Sequence, residues 1–99
     1  MVSIQFKSDQ EQLTIKIFGN FDFLIHQQFK EIVNDHPDIK AIFIDLNETS
    51  YVDSSGIGML LSLCEKIKDH RNNIIIKCGS MEIKQLFRSF QLHNMFTLR

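Results

Sequence analysis

Two adjacent serines, Ser54 and Ser55, lie in the run Tyr51-Val52-Asp53-Ser54-Ser55-Gly56-Ile57-Gly58, between an apolar strand-like segment and an amphipathic stretch. A strand-to-helix corner presents free backbone N–H groups and the positive end of a helix dipole. Two serines at such a corner are either caps or chemistry. A capping serine accepts a hydrogen bond from an N–H one turn in and contributes about 1 kcal/mol. Either serine could fill that role, and Ser55, deeper in the helix start, is the expected cap. Enzymatic patterns do not fit this corner. A nucleophile elbow needs Gly two residues before its serine, and neither serine has one. A P-loop needs Lys after its glycines, whereas Gly56-Ile57-Gly58 runs into Met59-Leu60-Leu61. The four histidines, His26, His36, His70 and His93, show no metal-ligand spacing. Hydrolase, nucleotidase and metalloenzyme are therefore poor readings of the chain, and no cofactor and no metal are expected.

The elements that position the corner follow from periodicity. Val2, Ile4 and Phe6 alternate with polar residues, as do Leu13, Ile15 and Ile17, which predicts an antiparallel hairpin with one buried face. Gly19-Asn20 ends the second strand. A helix is expected from about Phe23 to Asp35, with Ile25, Phe29, Ile32 and Val33 on one stripe and Pro37 preventing its continuation. The nearly continuous apolar runs Ala41–Leu46 and Asn73–Cys78 predict central strands covered on both faces. Between them a second helix is expected from about Ser55 to His70, burying Ile57, Leu60, Leu61, Cys64 and Ile67. A third, about Met81 to Phe90, carries Ile83, Leu86, Phe87 and Phe90 on one face, with Ser80 as its cap and Glu82 in its first turn. Met95–Leu98 can add a short last strand. The order β-β-α-β-α-β-α-β describes an α/β domain with a mixed central sheet and helices packed against it.

The chain of 99 residues suits one domain, 1–99, able to bury roughly 60–65% of its unfolded surface. Eleven Lys plus Arg against twelve Asp plus Glu leave no global field, and there is no basic cluster, so nucleic acid is not an expected partner. Cys64 and Cys78 stand in apolar surroundings without CxxC spacing and read as reduced core thiols. No apolar run approaches the ~20 residues of a membrane span, and the N-terminus alternates like a strand rather than a signal peptide. A cytoplasmic protein without membrane insertion is expected.

The run Asp53-Ser54-Ser55-Gly56-Ile57-Gly58 after a buried strand resembles the signature of STAS domains, especially bacterial anti-sigma factor antagonists. The resemblance extends over essentially the whole chain. Phe18-Gly19-Asn20-Phe21-Asp22 is similar to the family's Gly-x-x-Asp loop before the first helix, and Ile83-Lys84-Gln85-Leu86-Phe87 to its third helix. The resemblance implies a phosphorylation switch in a partner-switching pathway. The first serine after the Asp, here Ser54, is phosphorylated by a partner serine kinase, often the anti-sigma factor itself. The unphosphorylated protein binds that partner, phosphorylation releases it, and a serine phosphatase restores binding. Kinase, ATP and Mg²⁺ belong to the partner. Many antagonists of this family continue into a C-terminal helix, whereas this chain stops at Arg99, so a minimal fold is expected, as a monomer or weak dimer.

Around Ser54 the expected partner-binding residues are Asn20, Phe21, Asp22, Asp53, Ser55, Gly56, Met59 and Leu63. Each also has a structural reading. Asp22 can cap the first helix and Asp53 can fix the turn. Gly56 and Gly58 can permit close backbone approach. Met59 and Leu63 can belong to the core edge, and Phe21 can be buried. Other outputs stay open for such a domain: a response regulator or diguanylate cyclase as partner, a non-switching structural subunit of a transporter, or a small-ligand binder.

Overall fold

The computed structural model describes residues 3–99. The chain opens with strand β1 (Ser3–Asp9) and strand β2 (Gln12–Phe21), then a 3₁₀ turn (Phe23–Ile25) and helix α1 (His26–Asn34). Strands β3 (Ala41–Asp45) and β4 (Thr49–Val52) precede helix α2 (Ser54–Lys66) and the single helical turn α3 (His70–Asn73). Strand β5 (Ile74–Lys77), helix α4 (Met81–Ser89), a second 3₁₀ turn (Leu92–Asn94) and strand β6 (Thr97–Leu98) complete the order. The sheet runs β1-β2-β3-β5-β6, with β4 paired to the far end of β2. Only β1 is antiparallel to its neighbour; the other pairings are parallel. A mixed α/β sheet is thus the observed architecture, as expected.

From β2 the sheet grows in one direction, to β3, β5 and β6. Parallel crossovers of one hand that all advance the same way place their helices on the same face. The burial pattern follows. Leu13, Ile15 and Ile17 of β2, Ile42 and Ile44 of β3, and Ile74 and Ile76 of β5 are buried, while Thr14, Phe43 and Ile75 between them are half-buried. The central strands are therefore covered on one face, and the expectation of cover on both is corrected. Phe29, Val33, Leu60, Leu63, Ile83 and Phe87 supply the helical side of this core.

Other boundaries move for identifiable reasons. Strand β4 was not legible in the sequence, since its four residues bury only their ends, Thr49 and Val52, and show no alternation. Helix α2 stops at Lys66 because Ile67 turns extended to bury its side chain, and Asp69 enters the left-handed region (φ 51°) before α3. Leu61, expected on the apolar face of α2, is exposed, as is Phe90 just past the end of α4. Val2 lies outside the described residues. Phe6, expected in the core, is 51% exposed, because β1 is an edge strand with a neighbouring strand on one side only. Cys64 and Cys78 are free and buried, and burial pushes the Cys64 thiol up, the Glu65 carboxylate adding to the effect.

Candidate functional site at the start of helix α2

The corner is built on the last residues of β2. That strand does not end at Gly19-Asn20 as the sequence suggested. Gly19 adopts φ 83°, the register slips between Gly19 and Asn20, and the strand continues beside β4 with Asn20 opposite Tyr51 and Phe21 opposite Val52. A left-handed residue is inexpensive only for glycine. Thr49, itself buried, fixes β4 to β2 by donating from Oγ1 to the Ile17 carbonyl at 2.8 Å. The Gly19 N–H donates to the Glu48 carbonyl at 3.0 Å.

Helix α2 then starts directly against this strand end. The Phe21 carbonyl accepts from the Asp53 N–H at 3.3 Å. A Cβ on Gly56 would stand 2.4 Å from the same carbonyl oxygen, a distance no side chain tolerates against backbone. Gly56 is required by that approach. Gly58 is not: a Cβ there would meet nothing within 4 Å, and its expected packing role is corrected.

Neither serine is the cap. Asp53 holds the extended N-cap conformation, and its Oδ1 accepts from the Gly56 N–H at 2.9 Å, so Ser54 and Ser55 fall inside the first turn. The expectation that Ser55 caps the helix is thereby overturned. A carboxylate in that position also complements the positive end of the helix. Ser54 is exposed and Ser55 half-buried.

Ser54 lies on an open groove of about 400 Å³ between this corner and α4. Val52, Ile57 and Ile83 form its buried floor, and Tyr51 and Phe90, each more than half exposed, stand on its rim. Its charged lining residues are Asp53 and Glu82; no Lys, Arg or His lines it. The corner therefore offers an added phosphate helix amides and a dipole but no counter-charge from the groove.

The remaining candidates divide. Asp22 is 8% exposed, and its Oδ1 accepts from the Leu24 N–H at 3.0 Å, capping the 3₁₀ turn. Asn20 is half-buried in the β2–β4 pair. Phe21 is fully buried against Phe29, with ring centroids 5.4 Å apart, so it cannot anchor a partner. Met59 and Leu63 are 5% and 2% exposed and belong to the core between α1 and α2. Exposed apolar residues near these elements include instead Phe23, Leu24, Tyr51, Leu61 and Phe90. Phe23 and Leu24 carried a signal in the sequence, since they precede the apolar stripe of α1. Tyr51 carried none, because the strand that presents it was not recognised. Among the described residues no group of three or more His, Cys, Asp or Glu could hold a metal ion, and no helix is long and apolar enough to cross a membrane.

Comparison with known proteins agrees with this geometry. The family model of the STAS domain matches residues 3–99. A STAS-domain containing protein of Pseudomonas aeruginosa is 32% identical over 94 residues, 92% of this chain and 91% of that protein. Among solved structures, the anti-sigma factor antagonist SpoIIAA in its unphosphorylated form superposes with a TM-score of 0.82 at 18% identity, over 98% of this chain and 88% of the other. The Bacillus cell fate determinant SpoIIAA in the phosphorylated form gives 0.76 at 19% identity, over 98% and 91%.

Proposed function

This chain belongs to the STAS domain family, and on that basis we propose that it is a phosphorylation-controlled partner-switching protein of the anti-sigma factor antagonist type. The carrying observation is that Asp53 caps α2, which leaves the exposed Ser54 hydroxyl outside the capping role at the rim of an apolar groove. The unphosphorylated protein docks an anti-sigma factor or serine kinase over this corner. Phosphorylation of Ser54 releases that partner, and a serine phosphatase resets the switch. The chain supplies no catalysis.

The physics supports a binding switch without a folding switch. A phosphate adds about −1.5 to −2 charges and three acceptor oxygens. The first turn of α2 accommodates it, since helix N-termini favour anions. Asp53 and Glu82 already make the groove lining acidic, so the added charge stays unpaired within this chain. A partner surface fitted to a neutral hydroxyl would then bury an uncompensated charge, which costs several kcal/mol. The fold likeness to SpoIIAA, solved in unphosphorylated and phosphorylated forms, is in keeping with this reading.

The test uses Ser54→Ala and Ser54→Glu proteins as paired baits in native lysate, with intact mass of the wild-type protein followed after incubation with ATP. A kinase-like or signalling protein retained by Ser54→Ala and lost from Ser54→Glu is expected, together with one added phosphate on the wild type that Ser54→Ala never receives. Identical capture by both baits and no added phosphate would refute the switch. Transporter subunits on both baits would then make this a structural module.

A further inference from the structure

We propose that β1 is a self-pairing edge, through which two copies of this chain join antiparallel about Phe6 into one continuous sheet. Among the described residues β1 pairs only with β2, in unbroken register from Ser3 opposite Phe18 to Asp9 opposite Gln12. The two strands are joined by the two-residue turn Gln10-Glu11. Residues flanking such a turn exchange both backbone hydrogen bonds, and bonded and non-bonded pairs alternate from there. Asp9, Lys7, Gln5 and Ser3 therefore direct their amides and carbonyls at β2, and Ser8, Phe6 and Ile4 direct theirs outward.

That outward row is self-complementary. With a twofold axis at Phe6, Ile4 faces Ser8 of the second copy, Phe6 faces Phe6, and Ser8 faces Ile4. These are all outward-directed residues, and each pair exchanges two hydrogen bonds. Lys7 falls opposite Gln5, so no like charges oppose one another directly. The side chains agree with the backbone. Phe6 lies on the helical side of the sheet, since its partner Ile15 does, and the His36 ring covers one flank edge-on with centroids 5.7 Å apart. The uncovered flank accounts for its 51% exposure, and Phe6 of the second copy fills that place. The devices by which edge strands normally refuse partners are largely absent here: β1 has no Pro and no bulge, and its one Lys faces away from the Phe6 side. The opposite edge, β6, is two residues long and offers no comparable template.

A seven-residue strand contact is smaller than the ~1,200 Å² of a standard interface, so the pairing should be weak, half complete between about 0.1 and 1 mM. The test is sedimentation velocity from about 10 µM to about 1 mM under reducing conditions, with amide exchange followed by NMR at both ends of that range. The weight-average mass should rise toward the dimer. The amides of Ile4, Phe6 and Ser8 should slow about two- to threefold with concentration, while those of Gln5, Lys7 and Asp9 stay protected throughout. Ser8→Pro removes only an outward N–H, so it should keep the fold and abolish the dimer. Phe6→Lys should abolish it independently. A monomer at the highest concentration overturns the proposal, as does a dimer that survives Ser8→Pro or leaves the Ile4, Phe6 and Ser8 amides unchanged.

Discussion

Helices α2 and α4 both begin after an extended residue whose side chain accepts from an N–H three residues on, and both carry serine at or just after that residue. At α4 the serine is the cap: Ser80 Oγ accepts from the Ile83 N–H at 3.2 Å, with Glu82 in the first turn. At α2 the cap is Asp53, whose Oδ1 accepts from the Gly56 N–H, and the serines are displaced into the helix. The same residue type therefore has two different fates. A serine at the N-cap has its hydroxyl oxygen already engaged by a backbone amide. One residue further along, with a carboxylate doing the capping, its hydroxyl projects from the first turn and can change charge without loosening the helix. The two corners also differ in their anchorage. The α2 corner is pressed onto the Phe21 carbonyl through Gly56, and no glycine makes such an approach at the start of α4.

Substitutions should separate the two corners by magnitude. Gly56→Ala forces a Cβ onto the Phe21 carbonyl and should destabilise the domain by about 3 kcal/mol or leave it unfolded, read by urea denaturation. Asp53→Ala and Ser80→Ala should each cost about 1 kcal/mol, the usual loss of a helix cap. Gly58→Ala should run the other way, raising stability by about 0.5–1 kcal/mol, because its Cβ enters open space on a helix. Ser54→Ala should change stability by less than about 0.5 kcal/mol while abolishing phosphorylation. If it costs as much as Ser80→Ala, the contrast between the corners fails and Ser54 is a structural residue.

Much of this was legible in the chain. Ser80 was recognised as the α4 cap from its place before an apolar 3.6-residue stripe, and the stripe of α1 gave the correct buried residues. The isoleucine-rich segments 42–44 and 74–76 fell where the central strands are. The α2 corner was located by its motif, but its internal assignment was not. Asp53, Ser54 and Ser55 are all good cap residues, and periodicity fixes a helix start only to within a residue or two. Phe21 read equally well as an anchor or a core residue, and Met59 and Leu63 as core edge or interface. Which reading holds depends on the neighbours those positions meet.

The sequence by itself determined the strands other than β4, the apolar stripe of α1 and the position of the Asp-Ser-Ser-Gly corner, because those depend on residues adjacent along the chain. Tertiary structure decided the rest. The growth of the sheet in one direction left its second face open. The passage of β2 beyond Gly19 created β4 and brought the Phe21 carbonyl against Gly56. That contact joins residues 35 positions apart, and it aligns the helix so that Asp53 meets the Gly56 amide and Ser54 faces outward. Local pattern cannot specify such a choice, since three adjacent polar residues are equivalent until a distant backbone atom fixes where the helix begins.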